Sequence, residues 1–376
     1  MGIKGKNLSR QGGQMKPRTF CFLIVVAFFI LGFAWPSVDQ KQGISKAITF
    51  KEDLRLTRAD WFPYRLNVDT EGNIYVLSGK EQTFIVFDPS GRERSRRQIA
   101  KGQGPGEFSH FDFVFDKSGR LFAADWAQRR LTVFDRDFRI EKIEKLNLYG
   151  DQFLMDSKDQ RYFLAYQILE KTRERNRVVL TRCDANGKIL KEIASYEWGP
   201  RRRGDGTFEE DLYRIQLKYA LDPQDNVCYA FSNKYEVFVV SPEGDPVRTI
   251  KKDAKTRRVT KEDIDRLLPP SSSKSPYEHI IPEHVPPIAG IFPLKNDYLL
   301  VVTFEKAGQD TALAGDLFDS GGRLVATVSV PKYYYWDFLL APQKSLALVR
   351  GDYFYTIETD ADEENFWVKR YKIVWE

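Results

Sequence analysis

Leu66-Asn67-Val68-Asp69-Thr70-Glu71-Gly72-Asn73-Ile74-Tyr75-Val76, followed by Ile85-Val86-Phe87-Asp88-Pro89-Ser90-Gly91, decides the architecture. An apolar strand ends in Asp, a Gly turn reverses the chain, and a second strand follows. A third strand again ends in Asp before a Gly. The order returns as Phe113-Val114-Phe115-Asp116, Gly119, Leu121-Phe122-Ala123 and Leu131-Thr132-Val133-Phe134-Asp135. The paired Asp residues are 19 apart in both copies, and the copies are 47 apart. Several short strands and Asp/Gly turns at such a period mark β-sheet blades arranged around an axis.

Working outward, the pattern divides the chain into six units. The first two span about 64–100 and 111–146. The third is degenerate, with Phe153-Leu154-Met155-Asp156, then 159–164, Val178-Val179-Leu180 and Asp184-Ala185-Asn186-Gly187. The fourth restores the spacing through Asp222, Asp225 and 237–244. The fifth runs from 288–292 through 298–302 to Asp316 and Gly322. In the sixth, Gly351-Asp352-Tyr353-Phe354-Tyr355 aligns with 72–76, which makes 345–349 an inner strand and 366–374 a third strand. A fourth strand is missing there, and a spare one stands at 48–56. Pairing the two closes the ring and removes an exposed edge. The expectation is an all-β, six-bladed propeller over 48–376, closed by its N-terminal strand. An insertion at 251–287 interrupts it. Thr260-Lys261-Glu262-Asp263 starts a short helix there with a capping-box pattern, ended by Pro269 and Pro270. Such a helix must pack on the propeller, as a structural plug or as a lid.

Residues 1–36 stand apart, with 37–47 as a linker. Lys4, Lys6, Arg10, Lys16 and Arg18 precede an apolar run at 20–33, with no acidic residue. This hydrophobic helix reads as a signal peptide, with Gly32-Phe33-Ala34 as a cleavage site, or as an uncleaved anchor. Met15 is an alternative start. Either way the propeller is extracytoplasmic (periplasm, envelope or secreted), and membrane contact is restricted to this segment. The net charge of +5 resides in those five residues, leaving 53 of the 58 Lys and Arg against 53 Asp and Glu. That balance argues against a nucleic-acid partner. Cys183 and Cys228 fall in different units and read as buried thiols, although an oxidising compartment permits their pairing.

The stretch Lys101-Gly102-Gln103-Gly104-Pro105-Gly106-Glu107-Phe108, with Ala124-Asp125 and Arg130 ahead of Val133-Phe134-Asp135, resembles the NHL-repeat propellers. More closely, it is similar to exported bacterial six-bladed propellers of the TolB-like and NHL-like group. The resemblance is sharp over about 60–150. It implies the fold; the superfamily includes binding platforms, lactonases and lyases, so it implies function only weakly. The glycines lack the Lys-Ser/Thr ending of a phosphate loop and precede a strand. They read as a tight inter-blade crossover where only Gly allows positive φ.

The chemistry of the chain is sparse. His110, His279 and His284 are its three histidines, and the last two are poorly spaced for one metal. Asp360, Asp362 and Glu364 alternate like calcium ligands but lack the invariant turn Gly, so a solvated acidic turn is expected. The basic clusters (Arg92, Arg94, Arg96, Arg97; Arg173, Arg175, Arg177; Arg201, Arg202, Arg203; Lys251, Lys252) read as a solvated rim. No cofactor, no metal and a monomer are expected.

A site, if present, lies where the inner strands converge. Four residues before the first Asp of each unit stand Arg65, Asp112, Gln152 and Lys218, with Gly290 and Lys344 as equivalents. Tyr64, His110, Asp151 and Tyr219 are their neighbours. Trp336 and Asp337 either overhang the same region or join blades five and six. These residues form a candidate ligand-binding mouth for a polar ligand, against the alternative of a mutually satisfied, water-filled channel. The reading is an extracytoplasmic binding module for a protein, peptide or glycan. The alternative is a metal-dependent propeller hydrolase or lyase acting at the same mouth.

Overall fold

In the computed structural model, the described residues are 48–376 apart from 60, 80–81, 110, 170–175, 269–276, 309–311, 334–345 and 361–363. The expected N-terminal helix therefore lies outside them. Among the described residues no helix is long and apolar enough to cross a membrane.

Six four-stranded antiparallel sheets follow one another along the chain. The closing strand β1 (Ile48–Thr57) comes first. Blade one is β2 (Pro63–Val68), β3 (Ile74–Ser78), β4 (Thr83–Phe87) and β5 (Glu93–Gln98). Blade two is β6 (Phe111–Phe115), β7 (Leu121–Asp125), β8 (Arg130–Phe134) and β9 (Ile140–Lys145). Blade three is β10 (Gly150–Met155), β11 (Arg161–Ile168), β12 (Asn176–Cys183) and β13 (Ile189–Trp198). After β14 (Arg201–Arg202) and β15 (Phe208–Asp211), blade four is β16 (Leu217–Leu221), β17 (Val227–Phe231), β18 (Glu236–Val240) and β19 (Pro246–Lys251). The insertion supplies α1 (Lys261–Leu267) and β20 (Tyr277–Ile280). Blade five is β21 (Gly290–Pro293), β22 (Leu299–Lys306), β23 (Ala312–Phe318) and β24 (Leu324–Pro331). Blade six is β25 (Ala347–Arg350), β26 (Tyr353–Thr359) and β27 (Phe366–Trp375), completed by β1. The β1–β27 pairing runs antiparallel from Ile48 opposite Trp375 to Thr57 opposite Trp367. The protein is thus a six-bladed β-propeller whose first strand finishes its last blade.

The recurrent Asp has a local cause. In most such turns its carboxylate accepts from the backbone N–H groups two and four residues on, as Asp69 does from Glu71 and Asn73, both at 2.9 Å; Asp116 takes the Ser118 hydroxyl and the Arg120 N–H instead. The N–H three residues on closes onto the Asp carbonyl, as in Gly72 to Asp69 at 3.3 Å. That third residue lies at positive φ, hence Gly72, Gly91, Gly119, Gly187 and Gly322. The Asp side chain satisfies the donors of a tight hairpin.

The core is distributed among the seams between blades. Leu66, Val68, Ile74 and Ile85 of blade one, for instance, pack with Leu56, Tyr355, Ile357 and Val368 of blade six and the closing strand. Second strands are buried on both faces (all five residues of β3 and of β7), whereas β5 is exposed throughout. This explains the apolar runs flanked by charged outer strands.

One element went unforeseen. The linker after blade three and the insertion after blade four form a common accessory sheet, β14-β15-β20, with β15 and β20 parallel. Helix α1 seats Leu267 with Leu212, Tyr213, Val285 and Phe304 in a satellite core. The Thr260 capping box is present as expected. Arg257 ties the insertion to blade five through Glu305 Oε1 (2.7 Å) and the Phe304 carbonyl (3.2 Å).

Candidate functional site

The predicted mouth residues begin the inner strands, but most of the charged ones serve the joints between blades. Arg65 is buried, with Nε 3.3 Å from Asp112 Oδ1 of blade two. Asp112 Oδ2 accepts the Phe153 N–H of blade three at 3.3 Å. Tyr219 Oη of blade four donates to the Gln152 carbonyl at 3.1 Å. Asn67 Nδ2 adds a bond to the Phe113 carbonyl at 2.9 Å. Across three seams, then, residues of the inner strands join one blade to the next.

Lys218 differs. Its side chain is half-buried, and burial pulls its ammonium from the ordinary lysine range down to about 8. Just ahead of β16 lies Gln216, a buried residue whose Oε1 has no hydrogen-bond partner among the described residues. Tyr64 is also half-buried. Burial pushes its phenol up to about 12, Asp112 adding to the effect and Arg65 opposing it. Gly290 provides close approach: a Cβ there would lie 2.7 Å from Tyr333 Oη and 2.9 Å from the Phe292 ring. Asp151 lies in β10, and His110, Lys344, Trp336 and Asp337 fall outside the described residues. Gln216 escaped the sequence reading because it precedes β16, six residues ahead of Asp222, and falls outside the count of four back from the turn Asp.

The Gly-rich crossover at 101–108 is a structural tie, with one correction. Gly106 alone needs positive φ (77°). Gly102 and Gly104 are needed for space, because the Glu107 carboxylate folds onto both and accepts the Gly104 N–H at 2.8 Å. Arg130 binds the carbonyls of Gln103 (3.0 Å), Gly104 (2.9 Å) and Glu107. Asp125, fully buried, takes the N–H groups of Ser109 (2.7 Å) and Gln128 (3.0 Å).

The remaining candidates are dispersed. Arg96 pairs with Glu93, Arg203 with Glu278, Lys251 with Glu236 and Lys252 with Asp316. Asp360 accepts the Glu364 and Asn365 N–H groups, a turn staple like the others. His284 bridges Arg258, whereas His279 lies opposite Glu210. Cys183 and Cys228 are buried and free. Among the described residues no three His, Cys, Asp or Glu side chains gather as metal ligands.

The fold places the chain in the class of six-bladed propellers, and comparisons agree. A family model described as 6-bladed beta-propeller matches residues 64–203, which is blades one to three. No curated protein matches the chain. Among solved structures, a Bacteroides fragilis protein described as exported aligns with TM-score 0.52 and 14% identity, over 89% of this chain and 97% of its own. A member of a family of unassigned function from Bacteroides vulgatus gives 0.49 and 11%, over 88% and 99%. Virginiamycin B lyase from Staphylococcus aureus gives 0.44 and 11%, over 87% and 100%. At such identities the first likeness shows the fold and nothing finer.

Proposed function

We propose that this propeller is an extracytoplasmic binding module that captures a polar segment of a protein, peptide or glycan at its channel mouth, without catalysing a reaction. Kinship with the exported NHL-like and TolB-like propellers belongs to the same reading, carried by 101–108, Asp125 and Arg130. The observation that supports capture is Lys218. Its half-buried ammonium, at the start of an inner strand, is a donor that the acceptor oxygens of a polar ligand would engage. Gln216, two residues earlier in the chain, brings an acceptor without a partner among the described residues. Export is supported by the five basic residues ahead of the acid-free apolar run at 20–33.

The test is recovery of partners from the native envelope fraction with wild type and with Lys218→Ala. Partner recovery reduced about tenfold by the substitution, with no fall in melting temperature, is the expected result. Equal recovery refutes the mouth as the site. Tightly held stoichiometric Ca²⁺ or Zn²⁺, stripped by EDTA with loss of stability, would instead favour a hydrolase or lyase.

A further inference from the structure

The end of blade six remote from the mouth carries an unbalanced row of cations. Arg350, the last residue of β25, stands opposite Tyr353 of β26. Tyr353 stands opposite Lys372 of β27, and Lys372 stands opposite Lys51 of β1. Residues paired in this way share one face of the sheet, so Arg350, Lys372 and Lys51 belong to one surface around Tyr353. All three cations are exposed, and Tyr353 is half-buried against the seam with blade one.

The nearby carboxylates are spent elsewhere. Asp352, in the turn between β25 and β26, pairs with Lys295 of blade five at 2.6 Å. Asp53 is taken by Arg370 and Asp88 by Arg92. Glu376 lies four residues beyond Lys372, about 13 Å along an extended strand. Among the described residues no carboxylate pairs with Arg350, Lys372 or Lys51. Lys51 and Lys372 therefore form a like-charge pair that weakens the closing strand. The wider setting has the same sign: residues 48–58, 88–101 and 366–376 hold eleven Lys or Arg against five Asp or Glu. These segments adjoin, since Arg58 reaches Glu93 at 2.6 Å and Arg370 reaches the Pro89 carbonyl at 2.8 Å.

A local repulsion kept at a cost in stability points to a use outside the fold. The row crosses four strands, about 14 Å at the usual strand spacing, on an open sheet face. A single small anion calls for a concave site with convergent donors, whereas this face suits an extended anionic surface. Tyr353 adds an amphipathic ring of the kind that settles between apolar and aqueous phases. The chain itself indicates which surface is at hand. The apolar run at 20–33 ends 14 residues ahead of Ile48, so a bilayer holding it stays within about 50 Å of β1. A soluble acidic polymer has no such link. We propose that this face of blade six docks on an anionic phospholipid surface, a membrane contact additional to the N-terminal segment. Arg350, Lys372 and Lys51 meet headgroup phosphates, which also relieve the repulsion between the two lysines. Inner strands begin at the mouth whereas β25 ends at this row, so docking leaves the mouth clear of lipid.

The experiment mixes the full-length protein with vesicles of phosphatidylcholine alone, or of phosphatidylcholine and phosphatidylglycerol at about three to one. A water-soluble amine reagent labels the lysines, and mass spectrometry reads the rate at each. Lys51 and Lys372 are expected to react about tenfold more slowly on the anionic vesicles. Lys234, exposed on the turn between β17 and β18 at the mouth end, keeps its rate. Salt at about 1 M abolishes the difference. Arg350→Gln with Lys372→Gln removes two contacts worth about fivefold each, so Lys51 loses most of its protection. Equal rates on the two vesicles, or equal slowing at Lys234, overturn the proposal. Stronger protection by soluble dextran sulfate over neutral vesicles also overturns it, assigning the row to an acidic glycan.

Discussion

Enclosure of the Lys218 ammonium has a consequence for stability. Its folded pKa of about 8 lies below the ordinary 10.5, so the folded chain binds this proton less tightly than the unfolded chain. The penalty is fully present below pH 8 and is relieved as pH rises toward 10.5. Lys218→Met is therefore expected to stabilise the protein at pH 7 by about 1–3 kcal/mol, with the gain shrinking by pH 10; urea unfolding at the two pH values measures it. Arg65→Met acts oppositely, leaving Asp112 buried without its cation. A loss of about 3 kcal/mol in the same assay is expected. Counting back from each turn Asp located Arg65, Asp112 and Lys218. It was silent on which were spent as joints, because Arg65 and Asp112 belong to different blades and meet only when the seam closes.

Among the elements, the hairpins were the most legible, since an Asp that staples donors two and four residues on needs no distant partner. Asp159 departs from the rule, taking positive φ (60°) where Gly is usual. Asp159→Gly is expected to raise stability by about 0.5–1 kcal/mol, read as a higher urea midpoint. The accessory sheet was not legible. Strands β15 and β20 are separated by a whole blade, and a four-residue parallel pair leaves no period in the sequence. Within the insertion, Asp263 fastens the start of α1 to Arg257 and Thr260. Burial alone would raise that carboxyl, but hydrogen bonds from Arg257 and Thr260 outweigh it and hold the group well below the usual range. A lowered carboxylate pKa means stabilisation present above the unfolded value, near 3.8, and lost as pH falls through the folded value. Asp263→Asn is expected to speed amide exchange over 257–268 at pH 7, while the blade strands keep their protection.

For the molecule as a whole, closure decides integrity. β1 contributes the buried Ile48 and Leu56 to the seams on either side of blade six. Arg370 fastens it through Asp53 at 3.0 and 3.1 Å and reaches the Pro89 carbonyl of blade one at 2.8 Å. Deleting 48–57 exposes the β27 edge and opens the ring, so thermal unfolding is expected to lose its single cooperative step. Retention of one sharp transition in calorimetry would count against closure by β1. Arg370→Ala is a milder version, expected to cost about 1.5–3 kcal/mol. By itself the sequence determined the blade, its turns, the number of repeats and the strand left over to close them, because these rest on contacts within a few tens of residues and on a period. Only the tertiary structure decided which inner-strand residues act as joints and how the two linkers combine into one sheet. Those outcomes depend on side chains from different blades meeting in space, and no local pattern records that.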